Sequence, residues 1–300
     1  MAEKLSFHDE IAKNNRNSII LVFVIFVFLI LVGYAISWIY DPTMMWIFIG
    51  AAAVISILHL LNSYYNGDKI VLMTTGAIPA DETKYKFLHN TVEGLALAAG
   101  IPKPKVYIIP SADINAFATG RDPQHSSIAV TEGLTKILNR QEMEGVIAHE
   151  MSHIGNYDIR FMMLATVMVG IVAMVGYMLT RSMLYGGHRD SGRDRGNAGA
   201  ILMIVGIAIA ILAPIAVKFV QLAISRKREY LADASGAKLT RYPEGLAAAL
   251  EKISKNNSRK MDVGDVTASL FIANPNPSLL NKLTSTHPPI VERIKRLRAM

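Results

Sequence analysis

Two histidines and a glutamate form the group of residues best placed to carry out chemistry in this chain. The stretch His149-Glu150-Met151-Ser152-His153 reads HExxH, a pattern typical of zinc proteases. Residues four apart lie on one face of an α-helix, so both imidazoles can bind one metal ion. A glutamate beside the first histidine can hold and deprotonate a water molecule at that metal. The motif predicts that His149 and His153 are metal ligands and that Glu150 is the base.

A catalytic zinc site also needs a third protein ligand and one open position. Glu229 and Asp233 are four residues apart and would share one helix face. One of them can bind zinc while the other accepts a hydrogen bond from a ligand imidazole. The alternative is that Glu229 pairs with neighbouring arginines on a solvated face. Small residues around Asp233 permit close helix packing and favour the metal site.

The composition indicates a membrane protein. Hydrophobic residues make up 51% of the chain and charged residues only 18%, whereas soluble domains carry about 25% charged residues. The net charge of +7 is explained by basic residues that flank apolar runs, and no motif indicates nucleic acid as a partner. Cysteine is absent, so zinc would have to be bound by His, Asp or Glu, which suits a catalytic site.

Four apolar runs are long enough to span a lipid bilayer, which takes about 20 residues. They cover residues 18–40, 44–61, 161–180 and 199–217. Only three residues join the first two runs, which predicts a hairpin. Because the N-terminal arm is basic and the connecting turn has no Lys or Arg, this arm and the chain after residue 61 should be cytoplasmic.

The second apolar pair is harder to orient. Its connecting loop, residues 181–198, contains four arginines and would be external if both runs span the membrane. Either the charge rule is overridden, or protein partly shields this hairpin from lipid. We favour spanning. Between the two pairs, the sequence predicts helices at 84–99, 131–138 and 141–155 and strands at 105–109 and 126–130.

The motifs, taken together, resemble those of the HtpX-type membrane zinc endopeptidases, which are gluzincins related to the CAAX prenyl proteases. HExxH is followed by EYLAD at 229–233, and further matches are NAFATG at 115–120, IAVT at 128–131 and HPP at 287–289 with Glu292-Arg293. The order of hairpin, catalytic block and second apolar pair is also similar. The resemblance covers essentially the whole chain.

The resemblance implies a fold and a division of the chain. It implies a predominantly α-helical membrane protein with about four transmembrane helices and a cytoplasmic α+β, zincin-like catalytic domain containing a small sheet with an edge strand. The expected parts are an N-terminal arm (1–17), a transmembrane hairpin (18–61), a catalytic block with HExxH (62–160), a second transmembrane hairpin (161–224) and a second catalytic block (225–300).

The resemblance also implies roles at the metal. One zinc ion per subunit would be bound by His149, His153 and Glu229. Glu150 would serve as the general base and later as the proton donor. Asp233 would hydrogen-bond a ligand histidine and so hold its orientation.

Further roles concern the substrate. Asn115 would bind the substrate backbone, and His287 would stabilise the oxyanion with support from Arg293. An extended peptide can add to a sheet edge beside the HExxH helix. We expect that edge in the strand formed by Ser127, Ile128, Ala129 and Val130; the alternative is an ordinary core strand.

The predicted activity is that of a zinc endopeptidase anchored in the cytoplasmic membrane, with its active site facing the cytoplasm. The resemblance implies protein substrates, chiefly misfolded membrane proteins, and a role in quality control. An intramembrane-type metalloprotease is one alternative, but charged residues on both sides of HExxH argue against it. A non-enzymatic scaffold or transporter subunit with a metal site is another, which predicts a missing ligand or base.

Overall fold

The computed structural model describes residues 7–40, 42–167, 226–256, 270–273 and 288–300. The predicted loop 181–198 and nearly all of the predicted second hairpin lie outside the described residues, as does His287.

Two long helices at the N-terminal end correspond to the first predicted hairpin. Helix α1 spans Phe7–Tyr40 and α2 spans Met45–Thr74, with a 3₁₀ turn at Pro42–Met44 before α2. Each contains a stretch apolar enough to cross a membrane, Asn14–Leu31 in α1 and Met45–Thr74 in α2, both with a mean hydropathy of 1.9. The helices pack against each other, and both extend past the predicted apolar runs into polar sequence.

One face of α1 is buried along its whole apolar stretch. The buried residues are Asn14, Ser18, Leu21, Ile25 and Phe28. Their alternating spacing of four and three residues puts them in one stripe of the helix. The polar end of this stripe therefore lies inside the protein rather than in water or lipid.

A four-stranded sheet forms the centre of the part of the chain that the sequence predicts to be catalytic. Its strands are β1 (Ile78–Pro79), β2 (Lys105–Ile109), β3 (Ala116–Asp122) and β4 (His125–Thr131). Their order is β1-β2-β4-β3, with β2 and β4 parallel and β3 and β4 antiparallel. Strand β3 therefore lies at the edge beside β4.

The expectation that Ser127, Ile128, Ala129 and Val130 form a sheet edge is wrong. Strand β4 pairs with β2 on one side and with β3 on the other. A strand whose main-chain N–H and C=O groups are paired on both sides has none left to bind a peptide. The strand is buried from Ser126 to Thr131, with apolar residues at 128–130, which is typical of a central strand.

Seven further helices in the described ranges surround the sheet. They are α3 (Lys86–Ala99), α4 (Glu132–Ile137), α5 (Arg140–Gly155), α6 (residues 158–167), α7 (Arg226–Thr240), α8 (Pro243–Asn256) and α9 (Ile290–Arg298). Helix α5 carries HExxH and packs against α3, α7, α8 and β3. Eleven of its 16 residues are buried, so its position is set by packing on nearly every side.

The start of α5 is fixed by a capping box. The Asn139 side chain accepts a hydrogen bond from the Glu142 N–H (3.0 Å), and the Glu142 carboxylate accepts one from the Asn139 N–H (2.8 Å). The Lys252 ammonium of α8 lies 2.7 Å from the same carboxylate. Such a box satisfies two main-chain donors that the helix leaves without partners, so the first turn is tied to α8.

Two apolar cores lie on the two sides of the sheet. The first joins the sheet to α3, α5 and α8, and includes Val92, Ile128, Ile147 and Leu250. The second joins the other face to α1, α2 and α6, and includes Leu21, Val71, Phe117 and Phe161. Helices α1 and α2 are therefore packed directly against the sheet and α6.

We expect Gly145→Ala to destabilise the protein by about 1–3 kcal/mol, the usual range for overpacking. A Cβ at position 145 would lie 2.6 Å from the main-chain nitrogen of Leu246, so α5 and α8 would have to separate. Gly94→Ala in α3 is the matched control, since its Cβ would meet no atom within 4 Å and alanine favours a helix by about 0.5–1 kcal/mol. Thermal unfolding in detergent measures both, and equal melting temperatures would contradict the close packing.

Candidate metal centre and active site

Three buried side chains from two helices meet at one point. The Nε2 atoms of His149 and His153 are 3.2 Å apart. Glu229 of α7 places Oε1 3.6 Å from Nε2 of His153 and Oε2 3.8 Å from Nε2 of His149. A tetrahedral ion with bonds of about 2.0–2.1 Å requires ligand atoms about 3.4 Å apart. The spacing of the three groups therefore fits one bound metal ion.

The charges around this point also fit a divalent cation. Four buried carboxylates lie in or against the site, and two buried guanidinium groups oppose them. The carboxylates are those of Glu150, Asp158, Glu229 and Asp233, and the guanidinium groups are those of Arg228 and Arg293. With neutral imidazoles, two negative charges remain. Buried charges are ordinarily paired or bound to a metal, and an ion of charge +2 would balance them.

The imidazole of His149 is oriented by Asp233. Oδ1 of Asp233 lies 3.0 Å from Nδ1 of His149, which is the contact that its predicted role requires. Arg293 donates to both oxygens of Asp233, from Nε (2.9 Å) and from Nη2 (2.7 Å). Burial alone would raise the pKa of Asp233, but the charge of Arg293 outweighs it and the pKa is lowered. Asp233 therefore stays ionised and leaves Nε2 of His149 available for a metal.

The imidazole of His153 has a carboxylate of its own, which the sequence did not predict. Oδ2 of Asp158, at the start of α6, lies 3.0 Å from Nδ1 of His153. Burial alone lowers the pKa of His153, but the hydrogen bond to Asp158 and the charges of Glu229, Asp158 and Glu150 raise it to about 9. The surroundings of His153 therefore favour positive charge at this position.

Glu150 lies wholly buried beside the two histidines. Burial raises its pKa, and the charge of Glu229 adds to this, against the opposite effect of the two histidines and of a hydrogen bond from the Ala118 main-chain N–H. A carboxylate with a raised pKa is a stronger base, which suits proton abstraction from water. The Ala118 contact also places the edge strand β3 directly beside this group.

Arg293 is fully buried and makes more contacts than its predicted role involves. We predicted support for His287, which lies outside the described residues. Besides Asp233, its Nη1 lies 3.2 Å from Oε2 of Glu229 and donates to the main-chain oxygen of Ile272 (3.1 Å). Arg293 of α9 therefore contacts both Glu229, the predicted third metal ligand, and Asp233, the carboxylate that orients His149.

Asn115 binds a peptide backbone in this structure, and that backbone belongs to residues 270–273. Its Nδ2 donates to the oxygen of Ala273 (2.7 Å), and its Oδ1 accepts from the nitrogen of Ala273 (3.3 Å). The nitrogen of Ile272 donates to the oxygen of Ala116 (3.0 Å). The predicted contact of Asn115 with substrate stays a prediction, and it would require Ala273 to move away.

Three residues of the site were missed by the sequence reasoning: Asn14, Asp158 and Arg228. Asp158 follows His153 by five residues, beyond a break in the helix, so helical spacing does not point to it. Asn14 lies in the polar N-terminal arm, four residues before the first apolar run, and carried no local signal. Arg228 directly precedes Glu229 and lies with its Nε 3.7 Å from Asp158; its charge was the one available clue.

Comparison with known proteins agrees with this geometry. Residues 82–300 match the profile of Peptidase family M48. A protease HtpX homolog from Dictyoglomus turgidum is 47% identical over 98% of this chain and 95% of its own length. One from Caldanaerobacter subterraneus subsp. tengcongensis is 43% identical over 99% of each chain. The crystal structure of Ste24p from S. mikatae shares the fold, with a TM-score of 0.51 and 20% identity over 95% of this chain and 65% of that one.

The fold and the site define a metallopeptidase with a helical, membrane-associated architecture. The chain belongs to Peptidase family M48. Its relatives are HtpX-type proteases, as the motifs indicated, and its two long apolar helices support a membrane protein. The protein is a metalloprotease with a possible metal-binding triad at His149, His153 and Glu229.

We expect Glu229→Gln to weaken metal binding by at least the roughly 10–100-fold that follows loss of an outer-shell partner, because a neutral amide is a poor ligand. Glu244→Gln is the control, since the Glu244 side chain is only partly buried and pairs with Arg298 (2.9 Å). Competition with a chromogenic chelator, with zinc as the probe, gives the affinity. An unchanged affinity in Glu229→Gln would mean that the third ligand lies elsewhere.

Proposed function

We propose that this protein is a zinc-dependent endopeptidase anchored in the cytoplasmic membrane, which hydrolyses peptide bonds at the cytoplasmic face. Its proposed substrates are misfolded membrane proteins, so that it serves membrane-protein quality control. The observation that carries the proposal is the meeting of His149, His153 and Glu229 within metal-binding distance, with the base Glu150 buried beside them.

Zinc is the metal that best suits this set of groups. Two imidazole nitrogens and one carboxylate, without any thiolate, make up the common donor set of catalytic zinc sites. A zinc ion bound there would act as a Lewis acid on the peptide carbonyl and lower the pKa of water. All three donors are buried, so the ion would be held in a medium in which its charge acts strongly.

The protein's own residues would carry the proton transfers. Glu150 takes a proton from the attacking water and later delivers one to the leaving amine nitrogen. Its raised pKa favours the first step, because a more basic carboxylate accepts a proton more readily. Asp233 and Asp158 keep the two imidazoles in place meanwhile. His287 is proposed to donate to the developing oxyanion, a contribution typically worth about 3 kcal/mol.

The substrate is proposed to bind as an extended strand along β3, not along β4 as the sequence suggested. The main-chain oxygen of Asn115 accepts a hydrogen bond from the main-chain N–H of Thr131 (3.0 Å). In an antiparallel pair, successive residues of a strand direct their main-chain groups alternately toward the partner strand and away from it. The main-chain groups of Ala116, Ala118 and Gly120 therefore face away from β4. Residues 270–273 cover this edge at Ala116, and the proposed peptide lies beyond them, beside Glu150.

Helix α1 supports a proposal for the position of the site relative to the membrane. Asn14 is the first residue of the apolar stretch Asn14–Leu31, and its side chain contacts Asn156 and Asp158. The metal centre is therefore proposed to lie level with the point where α1 becomes apolar. Because the basic residues of the N-terminal arm favour the cytoplasmic side, the site is proposed to face the cytoplasm.

We expect Glu150→Gln to retain zinc but to lose about 10²–10⁴-fold or more in hydrolysis, because only the base is removed. Protein purified in detergent, freed of metal and titrated with zinc, is assayed on casein and on a membrane-protein substrate. Glu144→Gln is the control, as Glu144 lies on the same helix and pairs with Arg140 at its surface (3.0 Å). Full activity in Glu150→Gln would contradict its role as base.

The orientation is tested by cysteine labelling, since the chain has no cysteine. Thr43, between α1 and α2, and Glu82, just after β1, are both exposed. In intact cells, a membrane-impermeant maleimide should label Thr43→Cys, whereas Glu82→Cys should react only after the membrane is opened. The reverse pattern would place the active site on the outer side.

A further inference from the structure

The two ligand imidazoles are supported in the same way. Nδ1 of His149 lies 3.0 Å from Asp233, and Nδ1 of His153 lies 3.0 Å from Asp158. A carboxylate that accepts from Nδ1–H fixes the tautomer in which Nε2 carries a free lone pair. Both carboxylates are buried, with 2% of the surface of each residue exposed. The geometry gives Asp158 the same relation to His153 that Asp233 has to His149.

A local feature of the backbone brings Asp158 to this position. Helix α5 ends at Gly155, and α6 starts at residue 158 after a two-residue turn. Tyr157 in that turn has φ = 59°, a left-handed conformation that costs a non-glycine residue free energy. The turn redirects the chain so that the first residue of α6 faces back toward His153. Continued helix through residue 158 would place Asp158 on a different face from His153.

Each of the two carboxylates is in turn held by a residue from one end of the chain. Asp233 is held by Arg293 of α9. Asp158 accepts a hydrogen bond from Nδ2 of Asn14 in α1 (2.7 Å), and the same amide also donates to the main-chain oxygen of Asn156 (3.1 Å). Asn14 is fully buried. An amide buried at the end of an apolar helix face is costly unless it is hydrogen-bonded. These contacts satisfy the amide nitrogen, whereas Oδ1 of Asn14 has no hydrogen-bond partner among the described residues.

We propose that Asp158 is a positioning residue for the metal ligand His153, and that Asn14 fixes Asp158, so that the first membrane helix supports the metal centre. The proposal rests on the proposed metal site. In it, Asn14 acts on the metal only through Asp158. A change that displaces the N-terminal part of α1 should therefore also lower the affinity of the site for its metal.

A neighbouring contact separates this role from simple attachment of α1. Oδ1 of Asn15 accepts a hydrogen bond from Nη1 of Arg160 in α6 (2.9 Å). This bond also joins α1 to α6, but it does not involve Asp158. Asn15→Ala therefore removes a similar attachment without touching the support of His153, and it is the matched control for Asn14→Ala.

The experiment measures zinc affinity by chelator competition on the full-length, detergent-purified protein, together with the melting temperature of each metal-free variant. We expect Asp158→Asn to weaken zinc binding by about 10–100-fold and Asn14→Ala by about 10-fold, as for a hydrogen bond to a charged group. Asn15→Ala should change zinc affinity less than about twofold, while it lowers the melting temperature by about as much as Asn14→Ala does. The absorption spectrum of the cobalt-substituted protein should shift in Asp158→Asn and Asn14→Ala only.

The double variant decides whether Asn14 acts through Asp158. Adding Asn14→Ala to Asp158→Asn should weaken zinc binding no further, whereas independent effects would add. Equal zinc affinities in Asn14→Ala and Asn15→Ala, or additive losses in the double variant, would overturn the proposal. If Asp158→Asn does not fold, the pair Asn14→Ala and Asn15→Ala still decides it. Absence of zinc binding by the unmodified protein would instead overturn the proposed function.

Discussion

The burial of more negative than positive charge around two imidazoles is the constraint on which the rest of the structure depends. Carboxylates out of water are tolerated only when each has a partner of fixed geometry. Arg293 and Asn14 supply such partners, and a divalent cation would supply the remaining charge. Since these partners come from α9 and α1, the ends of the chain must close on the HExxH helix before the site is complete. The metal site is therefore complete only when α1 and α9 have packed against the HExxH helix.

Burial of apolar surface holds α1 and α2 against the sheet. The face of the sheet opposite α5 is apolar, and α1, α2 and α6 cover it through residues such as Phe117 and Phe161. The polar end of the buried stripe on α1 then reaches the metal centre at Asn14. In the proposed arrangement, packing of α1 and α2, rather than a linker, would hold the active site near the membrane boundary.

Residues 270–273 cover one end of the edge strand β3 and so limit where a peptide could pair with it. Residues 270–273 are buried against Asn115, Ala116 and Phe117, where the rings of Phe271 and Phe117 meet edge to face at 5.0 Å. The same segment gives its Ile272 oxygen to Arg293. It therefore connects the edge strand to the support of Glu229 and Asp233, and it leaves the part of β3 beside Glu150 as the proposed place for a peptide.

Local spacing in the sequence determined the HExxH helix, the Glu229–Asp233 pair on one helix face and strand β2, because helix and strand periodicities involve only near neighbours. The apolar runs indicated α1 and α2 for the same reason, although not their polar extensions. Only the tertiary structure determined the strand order, with β3 at the edge and β4 in the centre. The sequence did not predict this order, because an apolar run does not specify which strands pair with it. The link from Asn14 to Asp158 joins residues 144 positions apart. Only the packing of α1 against α6 brings them together, and no local pattern encodes that.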